Sequence, residues 1–123
     1  MSHFTRVRTQ LRNIDTVKQA LESLGYTVAE GKIRGYQGQL EHADLVVNAG
    51  GNYDIGFRKE DENVVMVADF WGLRINRDQF LKQVSQKYAY LTIMEQAESQ
   101  GWQSVTEEVQ QDGSIRLVMQ RWA

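Results

Sequence analysis

Neither cysteine nor proline occurs in the 123 residues. Without cysteine there are no disulfides, no thiol nucleophile, and no thiolate-held zinc or iron–sulfur cluster. The chain therefore carries no sign of a redox compartment. A global basic field is missing as well: the net charge is −2, which disfavours nucleic acid as a partner. No apolar run approaches the roughly 20 residues of a membrane-spanning helix. The opening "MSHFTRVRTQ" lacks the apolar centre of a signal peptide, so a soluble, intracellular protein is expected. Of the two histidines, His3 and His42, neither sits in a metal-ligand spacing, and both read as surface residues. "AGGNYDIG" is glycine-rich but lacks the lysine and the following helix of a phosphate loop, and reads as a turn. No metal and no cofactor is expected.

What is present is ordinary for a globular chain: 41% apolar and 24% charged residues, at a length that fits one domain with its own core. Charge is unevenly spread. Residues 1–39 hold six basic and three acidic side chains, net +3, and residues 40–70 hold two basic and seven acidic, net −5. Either these regions meet in the fold or they form a polar docking surface.

Periodicity predicts the elements. Residues 3–11 alternate, with Val7, Thr9 and Leu11 on one face and Arg6, Arg8 and Gln10 on the other, as in a half-buried strand. Val17, Ala20, Leu21 and Leu24 mark a helix over about 14–24, capped by Asn13 or Asp15 and ended by Gly25. A short strand follows at 26–29. Between 31 and 43 the pattern breaks, predicting a loop or a bulged strand around Arg34–Gln39. "DLVVN" (44–48), "YDIGF" (53–57) and "VVMVADFW" (64–71) read as strands, the last apolar on both faces and so interior. A stripe through Phe80, Leu81, Val84, Tyr88, Leu91, Met94 and Ala97 predicts a helix over about 76–100, near 37 Å long, lying across the sheet. The chain ends in a hairpin. A three-residue loop at 111–113 with Gly113 left-handed puts Val109 opposite Ile115 and Val105 opposite Met119, which aligns the apolar faces. The expected fold is α+β: an antiparallel sheet of about five to six strands with two helices on one face, a two-layer sandwich.

One pairing carries chemistry. A two- or four-residue connection around "EDEN" places Asp54 opposite Asp69. Facing carboxylates need an arginine between them, a shared proton or a cation. Arg34, Arg6 and Arg8 are the candidates for a bridge. Trp71 and Trp122 each end an apolar strand, with Arg74 and Arg121 nearby. Core packing is the default for such tryptophans, although exposed Trp and Arg are also the residues that dominate binding hot spots.

"SHF" (2–4), "RGYQG" (34–38), "ADLVV" (43–47), "YDIGF" (53–57), "AD-x-WG" (68–72) and "DGSIRLVMQRW" (112–122) together cover essentially the whole chain. In this set and order the chain resembles the conserved hypothetical chloroplast reading frame thirty-five family, a domain of unknown function of algal plastid genomes and cyanobacteria. Phe70 departs from the pattern, standing where a second tryptophan before Trp71 is expected. The resemblance implies a cyanobacterial cytosol or plastid stroma. It brings no reaction and no catalytic residues.

The leading expectation is a non-enzymatic interaction or assembly protein with an unidentified protein partner. Its contacts would come from Arg34, Tyr36 and Gln37 of the glycine-bracketed segment, from Asp54, Asp69 and Trp71, and from Arg121 and Trp122. A small-ligand or catalytic site using Asp54 and Asp69 with an arginine is the alternative. RNA binding through Arg6, Arg8, Lys32 and Arg34 comes third.

Overall fold

A computed structural model describes residues 4–73 and 75–121, and only the backbone at 103–106, 117, 119 and 121. The strands are β1 (Thr5–Arg8), β2 (Val28–Arg34), β3 (Leu40–Asn48), β4 (Asp54–Glu60), β5 (Asn63–Ala68), β6 (Trp102–Val109) and β7 (Ile115–Arg121); the helices are α1 (Ile14–Ser23) and α2 (Arg77–Ser99). Single 3₁₀ turns occupy Tyr36–Gly38 and Phe70–Gly72. The first five strands form one antiparallel sheet in the order β1-β5-β4-β3-β2, and β6 and β7 pair only with each other. The α+β class is as expected from the sequence.

Both helix starts follow from local chemistry. Asn13 accepts the Thr16 N–H at 3.1 Å, and Asn76 accepts the Gln79 N–H at 2.9 Å. Each satisfies one of the donors a helix start leaves open. The helices cover one face of the sheet. Val17 and Leu21 of α1, and Phe80 and Val84 of α2, close over Leu45, Val47, Ile55, Phe57, Val64 and Met66. Each such buried side chain stabilises by about 1.5–3 kcal/mol.

α2 departs from expectation. Its apolar stripe continues to Ala97, yet Phe80 and Val84 are its only fully buried side chains among the described residues. At 1.5 Å per residue its 23 residues reach about 35 Å, so only the first turns lie over the core. The β6–β7 hairpin runs back along the helix, where the Tyr90 hydroxyl donates to Glu107 and Gly113 at the tip lies beside Gln86. The hairpin has the expected tip, with Val109 opposite Ile115 and Gly113 left-handed at φ +87°. A bulge then puts Ser104, not Val105, opposite Met119.

The segment 31–43 joins the two expectations, with strand on either side of a tight turn at Tyr36–Gly38 and the bulge at its inner end and not around Arg34–Gln39. It is the outer half of the β2–β3 hairpin. Ala29 pairs with Val46 and Gly31 with Ala43, so Asp44 and Leu45 together stand opposite Glu30 alone. That extra residue is a β-bulge, and it reverses which face the following side chains meet. Leu45 joins the helix side of the core, while Ala43 joins Ile33, Val65 and Val67 on the opposite side. The β3–β4 pairing runs no further than Leu45 opposite Phe57. Beyond it the hairpin leaves the sheet plane and folds across the helix-free face. Gly56 makes room for it: a Cβ there would sit 2.7 Å from the Ala43 Cβ and 2.8 Å from Ile33 Cγ2.

Candidate functional site

The fold-over brings the "RGYQG" tip onto the ends of β4 and β5. The ladder between these strands pairs Glu60 with Asn63 and Ile55 with Ala68. Asp54 is the next residue back along β4, and Asp69 the first residue beyond β5. Asp54 is 4% exposed and Asp69 is 1% exposed.

Two buried carboxylates need a reason, and the tip supplies it. Asp54 Oδ2 accepts the Arg34 backbone N–H at 2.8 Å, and Asp69 Oδ2 accepts the Tyr36 backbone N–H at 3.2 Å. Alternate amides of the tip are thus held by carboxylates on neighbouring strands. Arg34 does not bridge the two acids, as an arginine between them was expected to. Its guanidinium forks onto Asp54 alone, Nε to Oδ2 at 2.8 Å and Nη2 to Oδ1 at 2.9 Å. Asn48 adds a third side-chain donor to Asp54 at 3.3 Å. Burial on its own pushes the Asp54 carboxyl up, but the hydrogen bonds and charge of Arg34 and the Asn48 amide outweigh it, so the net shift is down. Asp69 Oδ1 is buried with no hydrogen-bond partner among the described residues.

The two glycines of the tip do different work. Gly38 is left-handed at φ +75°, next to Gln37 at φ +52° and ψ +35°. A left-handed glutamine costs on the order of 1 kcal/mol, which the anchored tip must sustain. Gly35 is extended at φ −135°, where any residue fits. It is needed for space: a Cβ would lie 2.8 Å from the Phe4 ring and 3.3 Å from the Asp69 Cβ.

Trp71 overturns the default of core packing. β5 stops at Ala68, and Trp71 rides the 3₁₀ turn after it with 86% of its surface exposed. Next to it, Gly72 lies flat against Tyr53, whose ring atoms would come within 2.0 Å of a Cβ. Tyr53 was not singled out from the sequence. Burial, then the negative charge of Asp69, then Tyr36 push its phenol up, which puts the two tyrosines and Asp69 in one neighbourhood. Its place beside Asp54 at the head of "YDIGF" was the available signal.

The tip, Asp54, Asp69, Tyr53 and Trp71 therefore come together at one end of the sheet. Trp122, Arg74 and His3 lie outside the described residues, as does the Arg121 side chain. Arg6 is ion-paired with Glu60, and Arg34 with Asp54, so two of the four basic residues considered for RNA are neutralised within the fold. Among the described residues no three His, Asp or Glu side chains gather as metal ligands. No helix among them is long and apolar enough to cross a membrane.

The family model described as "Protein of unknown function (DUF1257)" matches residues 20–118. The chain is 37% identical to the uncharacterised protein ycf35 of Cyanophora paradoxa, aligned over 99% of this chain and 98% of that one. It is 36% identical to the ycf35 protein of Guillardia theta and 33% to that of Pyropia yezoensis, each with the same coverage. No solved structure matches. With a family model spanning most of the chain and full-length relatives above 30% identity, this protein belongs to the DUF1257 family.

Proposed function

We propose that the protein is a non-enzymatic interaction or assembly module, and that it meets a protein partner through the anchored tip and its aromatic neighbours. The observation that carries this reading is Trp71. It is a large apolar ring left in solvent beside a loop that two buried carboxylates hold in one shape. A preformed loop with half-buried Tyr36 and Arg34, set near an exposed Trp, has the composition of a binding hot spot and loses little entropy on docking. The alternative of a ligand or catalytic site at the carboxylates gains less support. Asp54 is occupied by Arg34 and Asn48, and both acids are buried. The compartment we propose is the cyanobacterial cytosol or plastid stroma.

The test is affinity capture from cyanobacterial and red-algal extracts, with RNase and salt controls. The baits are wild type, Trp71→Ala, and the pair Tyr36→Ala with Gln37→Ala. A protein held by wild type and lost from both variants is the expected result. Capture that is indifferent to all three substitutions, or that disappears with RNase, would overturn the reading.

A further inference from the structure

A second surface lies away from the tip, where α2 overhangs the edge of the main sheet. β1 is the outermost strand there and, among the described residues, has a neighbour on one side only. Just past it, Thr9 donates its N–H to the Val64 carbonyl at 3.2 Å. Antiparallel pairing alternates, so Thr5 and Val7 also turn their main chain toward β5, while Arg6 and Arg8 turn theirs outward. Beside this open edge runs a groove of about 590 Å³, floored by residues 8–11 and walled by α2. Leu11, Leu81, Tyr88, Ala89 and Ile93 make it mostly apolar, and Ile93 is 47% exposed. The Tyr88 hydroxyl accepts the N–H groups of Arg12 and Asn13, at 3.3 and 3.1 Å, which fixes that wall.

We propose that β1 receives a sixth strand from a protein partner, in the form of an extended segment that alternates apolar and acidic residues. The free main-chain groups of Arg6 and Arg8 would pair with it. Its side chains opposite Val7 would point under α2 into the groove. Those opposite Arg6 and Arg8 would fall on the other face, beside two guanidinium groups. Glu60 already meets Arg6, but Arg8 has no carboxylate partner among the described residues. Charge therefore selects an acidic face on the partner. The same charge argues against a second copy, since β1 paired antiparallel with itself would set arginines against arginines.

The experiment titrates the isotopically labelled full chain with a synthetic heptapeptide alternating valine and glutamate, read by amide NMR. A valine–lysine heptapeptide is the control. The glutamate peptide is expected to shift the amides of Arg6 and Arg8 together with Leu81, Tyr88 and Ile93, and to weaken as salt rises. Arg8→Glu should weaken it at least about tenfold. Arg8→Gln removes charge only, whereas Arg8→Pro also removes an outward N–H and spares the ladder to β5. Binding should survive the first in weakened form and be lost in the second. If the proline variant fails to fold, the Arg8→Glu and salt results decide. Equal binding of the lysine peptide, equal binding by the Gln and Pro variants, or no shift at millimolar peptide would overturn the proposal. Arg6 and Arg8 would then only guard the edge against aggregation.

Discussion

The two sheets of this molecule are built from similar sequence and end in different circumstances. β4 and β5 alternate apolar residues and bury them on both faces: Ile55, Phe57, Val64 and Met66 under the helices, Val65 and Val67 under the folded hairpin. β6 and β7 alternate as well, yet Val109 is 72% exposed and Val118 is exposed too. What differs is the number of layers available. The main sheet is covered on both sides, while the terminal hairpin lies along the outside of α2 with its tip beside Gln86. A pattern of apolar residues states what could be buried, and only the stacking of elements decides what is.

That difference can be tested by substitution. Phe57→Ala should have the largest effect, lowering stability by about 3–5 kcal/mol in urea unfolding. Asp54→Ala should follow at about 3 kcal/mol, because it leaves the Arg34 amide and guanidinium without their acceptor. A loss below about 1 kcal/mol would mean that the tip is not held there. The Asp54 carboxyl is held below its ordinary range in the folded state, so its contribution is present in full above the unfolded value, about pH 4. It should fade as the pH falls through the depressed folded value, and a urea series at decreasing pH should lose this component in the Asp54→Ala variant. Gly56→Ala should come next, at about 1–3 kcal/mol, by lifting Ile33 and Ala43 off β4. Val109→Ala should be smallest, within about 0.5 kcal/mol. An effect as large as that of Phe57→Ala would show the hairpin to be part of a buried layer in solution.

A double-mutant cycle sharpens the same contrast within the site. Asp54→Asn and Asp69→Asn should be non-additive by at least about 0.5 kcal/mol, since both acids grip one five-residue tip. Strict additivity would dissolve the idea of a shared anchor.

Much of this was legible beforehand. The β4–β5 register that leads up to Asp54 and Asp69 followed from a two-residue turn, because register across a short hairpin leaves little choice. Capping chemistry narrowed the start of α1 to Asn13 or Asp15, and Asn13 is the cap. The bulge at Asp44–Leu45 was not legible: both residues suit a strand, and nothing local says which pair shares one partner. That single uncertainty hid the fold-over, and with it the use of the two acids as amide anchors. Trp71 was misplaced because an apolar run through Phe70 reads as strand until the chain turns. The isolation of β6 and β7 was out of reach for a related reason, since strand periodicity does not say which edges meet.

The bulge also sets the phase of the molecule. Ala43 and Leu45 are two residues apart and would share a face in a regular strand, but they serve opposite sides of the sheet. One residue therefore acts as a parity switch for everything between it and the hairpin tip. Deleting Asp44 would make Ala43 and Leu45 neighbours that still face opposite sides, but it would remove the bulge and with it the bend that carries the intact "RGYQG" tip over both carboxylates. The candidate surface is thus sensitive to chain length at a position that never touches it, and single-residue insertions or deletions near 44 should be far less tolerated than ordinary substitutions there.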